Sequence, residues 1–287
     1  MMKSISRRKF IKRSLKIGTL LFLGTFNYSL FQGSKSIEIT RLDIKVTNLP
    51  DNFENLTITQ ISDLHSGRFV NFELIKKSVK MVNELNSDIV MITGDFIEKF
   101  YYREEHIRPC MQELALIQPN EGVYAVLGNH DHRRDPEKIT EELQKVGICV
   151  LRNENKRLRR GNSAIRILGV DDLVMEKDDM EKTLDGVSRH EVKILMSHSP
   201  DIAENHKLRG IDLILSGHTH GGQICFPLIG APQTRIVSAY GQKYISGLVQ
   251  YNDIQIYVNR GIGSGFPPAR FMCKPEITVF TLRGGVS

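Results

Sequence analysis

The residues best suited to chemistry lie in Gly217-His218-Thr219-His220-Gly221-Gly222, directly after the apolar run 211–215. Two imidazoles one residue apart, where a strand yields to a glycine turn, would in an extended chain point to the same side. They could then converge on one point or on two neighbouring points. The flanking glycines let backbone approach a ligand closely. The arrangement suits metal ligation, although an isolated His-x-His is as often a pair of polar loop residues. Four further clusters tip the balance. Asp63-Leu64-His65 follows the apolar run 56–61, Gly94-Asp95 follows 89–92, Gly128-Asn129-His130-Asp131 follows 123–127, and His198 follows 192–196. Carboxylate, amide and imidazole donors together suit Mn, Fe or Zn and disfavour a thiolate-loving ion.

Bringing such donors together requires strands that end at one edge, which is where open α/β sheets bind ligands. The chain supplies them. From residue 37 apolar runs alternate with amphipathic stretches, giving strands at 56–61, 89–92, 123–127, 165–170, 192–196, 211–215, 254–258 and 277–282. Helices are expected at 72–85, 107–117 and 136–146; the first carries apolar residues at Leu74, Ile75, Val79, Val82 and Leu85, and the third opens on Pro136. No repeat, low-complexity tract or linker interrupts the pattern, so the body reads as one α/β domain. The basic run Lys156-Arg157-Leu158-Arg159-Arg160 ends in Gly161-Asn162 and reads as a solvated hairpin loop.

In this order the clusters resemble the calcineurin-like metallophosphoesterase family: Asp63-x-His65, Gly94-Asp95, Gly128-Asn129-His130-Asp131, Ser197-His198-x-Pro200 and Gly217-His218-Thr219-His220, from about residue 56 to the C-terminus. Gly221-Gly222-Gln223 and the tail Val258-Asn259-Arg260-Gly261-Ile262-Gly263, with Pro267, Arg270 and Pro275-Glu276-Ile277, are similar to the family's bacterial twin-arginine-leader phosphodiesterase branch. That branch includes exported phosphoesterases and a lipid A pathway pyrophosphatase. The resemblance implies a four-layer α-β-β-α sandwich with metals at the C-terminal ends of the strands. It implies two divalent ions, Mn, Fe or Zn with Mn favoured. Asp63, His65 and His220 would hold the first, Asn129, His198 and His218 the second, and Asp95 would bridge them. Two ions roughly 3.5–4 Å apart would share a hydroxide that attacks phosphorus, leaving His130 to protonate the leaving oxygen. Asp131 or Asp63 would orient His130. Glu98 stands where the family often has Asp, a substitution that keeps the carboxylate. His106, His132, His190 and His206 fit no slot and read as surface or structural.

The N-terminus is a separate unit in this reading. Ser6-Arg7-Arg8-Lys9-Phe10-Ile11-Lys12 resembles the twin-arginine export motif, and the apolar segment 17–31 has the length of a signal h-region. Residues 1–32 are therefore expected to be a leader or membrane anchor and residues 33–287 the metallophosphoesterase domain. No small-x-small cleavage site is visible in Tyr28 to Ser34, which leaves an uncleaved anchor open. The chain has 287 residues and a net charge of +6, but seven of its 39 bases lie in residues 1–16, leaving 32 bases against 33 acids in the rest. Nucleic-acid binding thereby loses its main support. Cys110, Cys149, Cys225 and Cys273 are scattered and make neither a disulfide framework nor a zinc knuckle.

The expected function is a dinuclear-metal phosphoesterase that cleaves phosphodiester or pyrophosphate bonds in the bacterial cell envelope. Its expected partners are a substrate that can be lipid-linked, the twin-arginine export machinery and the membrane through the leader. The alternative is a UDP-2,3-diacylglucosamine pyrophosphatase of lipid A synthesis, for which the apolar loop Gly263 to Pro268 would serve, although an exported domain would not meet that cytoplasmic-leaflet substrate. A non-catalytic scaffold would have lost ligands, and here every slot is filled. A serine or cysteine hydrolase is disfavoured because Ser197 lacks the Gly-x-Ser-x-Gly elbow and no cysteine adjoins a motif histidine.

Overall fold

The structure, a computed structural model, describes residues 6–28, 36–67, 72–98, 104–205, 208, 210–226, 228–232 and 234–285. In chain order the elements are α1 (Arg7–Tyr28), β1 (Glu38–Thr47), β2 (Thr57–Ile61), α2 (Phe72–Glu84), β3 (Ile89–Ile92), α3 (Glu104–Leu114), β4 (Gly122–Ala125), α4 (Asn129–His132), α5 (Pro136–Lys145) and β5 (Cys149–Val150). They continue with β6 (Glu154–Arg160), β7 (Ser163–Gly169), α6 (Met180–Thr183), β8 (Lys193–Met196), α7 (Ile202–Asn205), β9 (Leu213–Ser216), α8 (Thr234–Val237), β10 (Gly247–Tyr251), β11 (Ile254–Val258) and β12 (Glu276–Gly285).

The short apolar strands follow from burial on both faces, with the two-residue period sorting each side chain to its layer. In β3, Ile89 and Met91 face one core while Val90 and Ile92 face another. In β9, Leu213 and Leu215 join Met91 whereas Ile214 points the opposite way. This alternation produces two six-stranded sheets, ordered β1-β12-β2-β3-β4-β5 and β10-β11-β9-β8-β7-β6. The core between them combines Ile58, Met91 and Phe280 of the first with Ile167, Ile194 and Leu213 of the second. Outside the first sheet, Ile75, Val79 and Val82 of α2, at helical spacing, pack with Met111 of α3 and Leu143 of α5. Outside the second, Met180 of α6 and Ile202 of α7 cover Leu168, Leu195 and Ile214. The expected four-layer α-β-β-α sandwich is the architecture found.

Element boundaries differ from expectation mainly at strand ends, where turn geometry intervenes; the third helix is an example of a better-signalled start, with Asp135 accepting from the Lys138 N–H at 3.0 Å ahead of Pro136. The larger correction concerns Lys156 to Arg160. They form strand β6 rather than a solvated loop, paired antiparallel with β7 from Glu154↔Gly169 to Arg160↔Ser163, and the hairpin turn is only Gly161-Asn162. β6 is an edge strand, where charged side chains discourage pairing with another chain. Arg157 pairs with Glu191 at 2.9 Å and Arg160 with Glu121 at 2.6 Å, so part of the basic run is neutralised internally.

At the N-terminus α1 carries both arginines of the export-like motif, with its described side chains exposed. No helix among the described residues is long and apolar enough to cross a membrane. Most of the segment Tyr28 to Ser34, including the expected boundary at residues 32 and 33, lies outside the described residues.

Candidate dinuclear metal centre

Five parallel or central strands end at one edge of the sandwich, and each hands a motif to it. β2 leads to Asp63 and His65, β3 to Asp95, β4 to Asn129 and His130, β8 to His198, and β9 to His218 and His220. Glycine makes the close approach possible: a Cβ on Gly217 would overlap Ser62 Oγ and Asp63 Oδ2, and one on Gly128 would overlap Asp95 Oδ1. Five of the seven ligand residues adopt left-handed backbone, with φ of 52° at Asp63, 47° at His65, 55° at Asp95, 70° at His218 and 52° at His220. Such conformations cost about 1–2 kcal/mol each for a residue with a Cβ. They aim side chains that regular strands would splay apart.

Three ligand groups result, each with donor atoms within 4.8 Å of one another: Asp63, His65 and His220; His65, Asp95 and His130; Asp95, His198 and His218. Within the first, His65 Nε2 lies 3.0 Å from His220 Nε2, and His220 Nε2 lies 3.4 Å from Asp63 Oδ1. In the third, His198 Nε2 lies 3.2 Å from His218 Nδ1. Asp95 Oδ2 stands between the groups, 3.5 Å from His65 Nε2 and 3.2 Å from His198 Nε2, while its Oδ1 accepts the His130 N–H at 2.8 Å. His218 and His220 thus serve two points rather than one. The extended chain expected for them is replaced by a turn that continues into a short 3-10 stretch, His220–Gly222.

The electrostatics match a cation site. Burial pushes the Asp95 carboxyl up, but the charges of His198 and His130 outweigh it and hold the group well below the usual carboxylate range. Burial lowers His220 to about 3 and His218 to about 4, so both imidazoles offer lone pairs at neutral pH. Burial pulls His65 down, but the neighbouring carboxylates of Asp63, Glu98 and Asp95 outweigh it and raise the imidazole to about 10. Burial likewise pulls His198 down, but the Asp95 carboxylate holds it above its usual value. A divalent ion displaces the proton in such a donor set. Two more observations fit the expected ions. The buried Asn129 Oδ1 has no hydrogen-bond partner, as an oxygen ligand would before coordination. His198 Nδ1 lies 2.7 Å from the Thr93 carbonyl, a contact that fixes the tautomer and keeps Nε2 for ligation.

All seven expected ligands, together with His130, converge at this edge. The orienting partner of His130 is neither Asp131 nor Asp63. Glu98 takes that place, with Oε1 3.1 Å from His130 Nδ1 and Oε2 3.2 Å from His65 Nδ1. Asp131 instead ties the loops, accepting the N–H groups of Phe96 at 2.9 Å, Ile97 at 3.2 Å and Gly128 at 2.9 Å. The signal for Glu98 is a carboxylate three residues beyond Asp95; only the folded loop shows that it reaches two imidazoles. His132 is structural, 2.6 Å from Asp171 Oδ1, and His190 is exposed. His206 and the His106 side chain lie outside the described residues.

A cleft of about 270 Å³ opens over the centre. Asp95, Asn129, His130, His218 and His220 form part of its lining, and Arg133, Val174, Ile236 and Phe266 also border it. Phe266 of the 263–268 loop is 77% exposed and Ile236 of α8 82% exposed, and together they give the cleft an apolar rim.

Residues 56–222 match the family model for calcineurin-like phosphoesterases. The metallophosphoesterase YkuE of Bacillus subtilis (strain 168) is 36% identical over 289 residues, spanning 98% of this chain and 99% of that protein. Phosphodiesterase YaeI of Escherichia coli (strain K12) is 28% identical over 281 residues, spanning 97% and 99%. A transmembrane protein with metallophosphoesterase domain from Danio rerio is 31% identical over 270 residues, which cover 89% of this chain and 60% of that protein.

Proposed function

The chain belongs to the calcineurin-like phosphoesterase family and is a metal-dependent hydrolase, and from that premise we propose that it cleaves phosphodiester or pyrophosphate bonds of an apolar-armed substrate at the cell envelope. The observation that carries the chemistry is the position of Asp95 Oδ2 between the two ligand groups. Asp63, His65 and His220 would hold one divalent ion and Asn129, His198 and His218 the other, with Mn favoured over Fe and Zn. Bound there, two ions supply Lewis acidity and an activated water. Glu98 engages His130 at Nδ1, which directs Nε2 to pass a proton to the leaving oxygen. Arg133 meets the phosphoryl charge at the cleft mouth, and Phe266 and Ile236 seat the apolar arm.

The envelope location is supported by Arg7-Arg8 followed by the more apolar half of α1. This reading includes the twin-arginine export machinery and the membrane as partners of the leader, and no nucleic acid. A second reading, UDP-2,3-diacylglucosamine pyrophosphatase, is favoured by the exposed Phe266 and Ile236 alone. The deciding experiment gives the purified protein Mn²⁺ and compares a chromogenic phosphodiester, a phosphomonoester and UDP-diacylglucosamine. Turnover of the diester supports the leading reading; a strong preference for the UDP-lipid selects the second. Metal-loaded protein inert towards both the diester and the UDP-lipid discards both.

A further inference from the structure

Beside the first ligand group two cysteines meet, and the reaction proposed above uses neither. Cys225 Sγ lies 3.0 Å from the Gly221 carbonyl oxygen, and Cys273 Sγ lies 3.4 Å from that same oxygen and 3.2 Å from the carbonyl oxygen of His220. Both thiols thus flank the Gly221 carbonyl oxygen. Their segments run side by side: the Cys225 N–H donates to the Phe271 carbonyl at 2.9 Å and the Phe271 N–H to the Gln223 carbonyl at 2.8 Å. In an unbroken strand Cys273 would point away from Cys225, but left-handed Met272 (φ 52°) interrupts the alternation. The other two cysteines lie on α3 and β5.

We infer that Cys225 and Cys273 are an oxidisable pair that closes a reversible disulfide against the turn carrying His220. The oxidant is a small-molecule disulfide. Half-buried Cys225 is the sulfur it reaches; the Cys225 thiolate attacks one of its sulfurs, forming a mixed disulfide and releasing one thiol. Buried Cys273 then attacks the Cys225 sulfur and releases the second thiol. Two electrons and two protons leave the protein, and one S–S bond replaces two S–H bonds. The bridge ties the 223–226 and 271–273 segments together and restrains the turn between Thr219 and Gly222.

The test treats the purified full-length chain with oxidised glutathione, blocks remaining thiols with iodoacetamide and maps peptides without reductant. The expected product has lost two hydrogens, contains a linked Cys225–Cys273 peptide, reverts with dithiothreitol, and melts roughly 5–10 °C higher than the reduced chain. Cys225→Ser should abolish the link and Cys149→Ser should leave it intact. Alkylation of both Cys225 and Cys273 after oxidant, a link through Cys110 or Cys149, or a mixed disulfide that stops at Cys225 overturns the inference. Mapping the unmutated chain separates these outcomes even where Cys225→Ser fails to fold.

Discussion

In its interior the seam between the two sheets is closed by Ile58 and Met91 against Ile194 and Leu213; at the C-terminal edge the same seam is closed by Asp63, His65 and Asp95 against His198, His218 and His220. The interior residues sit in regular strands and gain stability from burial alone. At the edge, ligands adopt left-handed backbone and bury ionisable groups. That region gives up stability to fix geometry. Two of the three ligand groups draw on both sheets, because His220 completes the one begun by Asp63 and His65, and Asp95 completes the one begun by His198 and His218; the group of His65, Asp95 and His130 comes from the first sheet alone. The apolar seam therefore sets the register of the site, and the site does little to hold the seam.

The largest effect expected from breaking this division is at Asp95. Asp95→Asn should lower hydrolysis by about 10³-fold or more and release metal while leaving a cooperative thermal transition; two ions retained at full rate would show that the edge does not depend on its shared carboxylate. His130→Ala should lose roughly 10²–10⁴-fold in rate with metal content unchanged, as read by elemental analysis beside kinetics. On the other side of the comparison, Leu213→Ala should cost about 2–5 kcal/mol in urea unfolding yet keep both ions at 25 °C. Loss of metal in the folded variant would mean that seam and site are energetically coupled. Glu98→Gln sharpens the edge itself, since a carboxylate that orients two imidazoles should be worth roughly 10–100-fold in activity or metal affinity.

The smallest effect concerns Glu276 on β12, which joins the two chemistries by accepting from Tyr257 Oη of the second sheet at 2.8 Å and from Arg260 Nε at 3.0 Å. Burial pushes its carboxyl up, but the hydrogen bond and charge of Arg260 hold it below the usual value of 4.5. A pKa lower in the folded than in the unfolded chain gives stabilisation that is full above that usual value and lost as pH falls through the folded one. Urea midpoints should thus drop below pH 4.5, in part through Glu276. Glu276→Gln should flatten that part of the profile; an unchanged profile would leave the stitch without energetic weight.

The seven ligands are legible in the sequence because each follows a strand whose apolar residues announce it, and strand ends are where donors can gather. Three things are not. β6 is hidden by Lys156 and Arg160, since charge on an edge strand looks like charge in a loop. The left-handed backbone at Asp63, His65 and His220 has no signature, because Asp and His adopt it more often than other residues with a Cβ but still in a small minority of cases. The reach of Glu98 to both His65 and His130 depends on how two loops lie against each other, which adjacency along the chain does not encode.

β1 and β12 are parallel neighbours, and β12 also pairs with β2, so the last strand fills the gap between the first two. Thr40 and Glu276, in contact there, are 236 residues apart along the chain. Contacts so distant form late and slow the search for the native state. On the ribosome, β2, β3 and β4 can pair as they emerge, but β1 has no partner until β12 is made, which leaves an unpaired strand edge available for misassociation. Completion of the sheet that supplies both carboxylate ligands is thereby tied to the synthesis of β12.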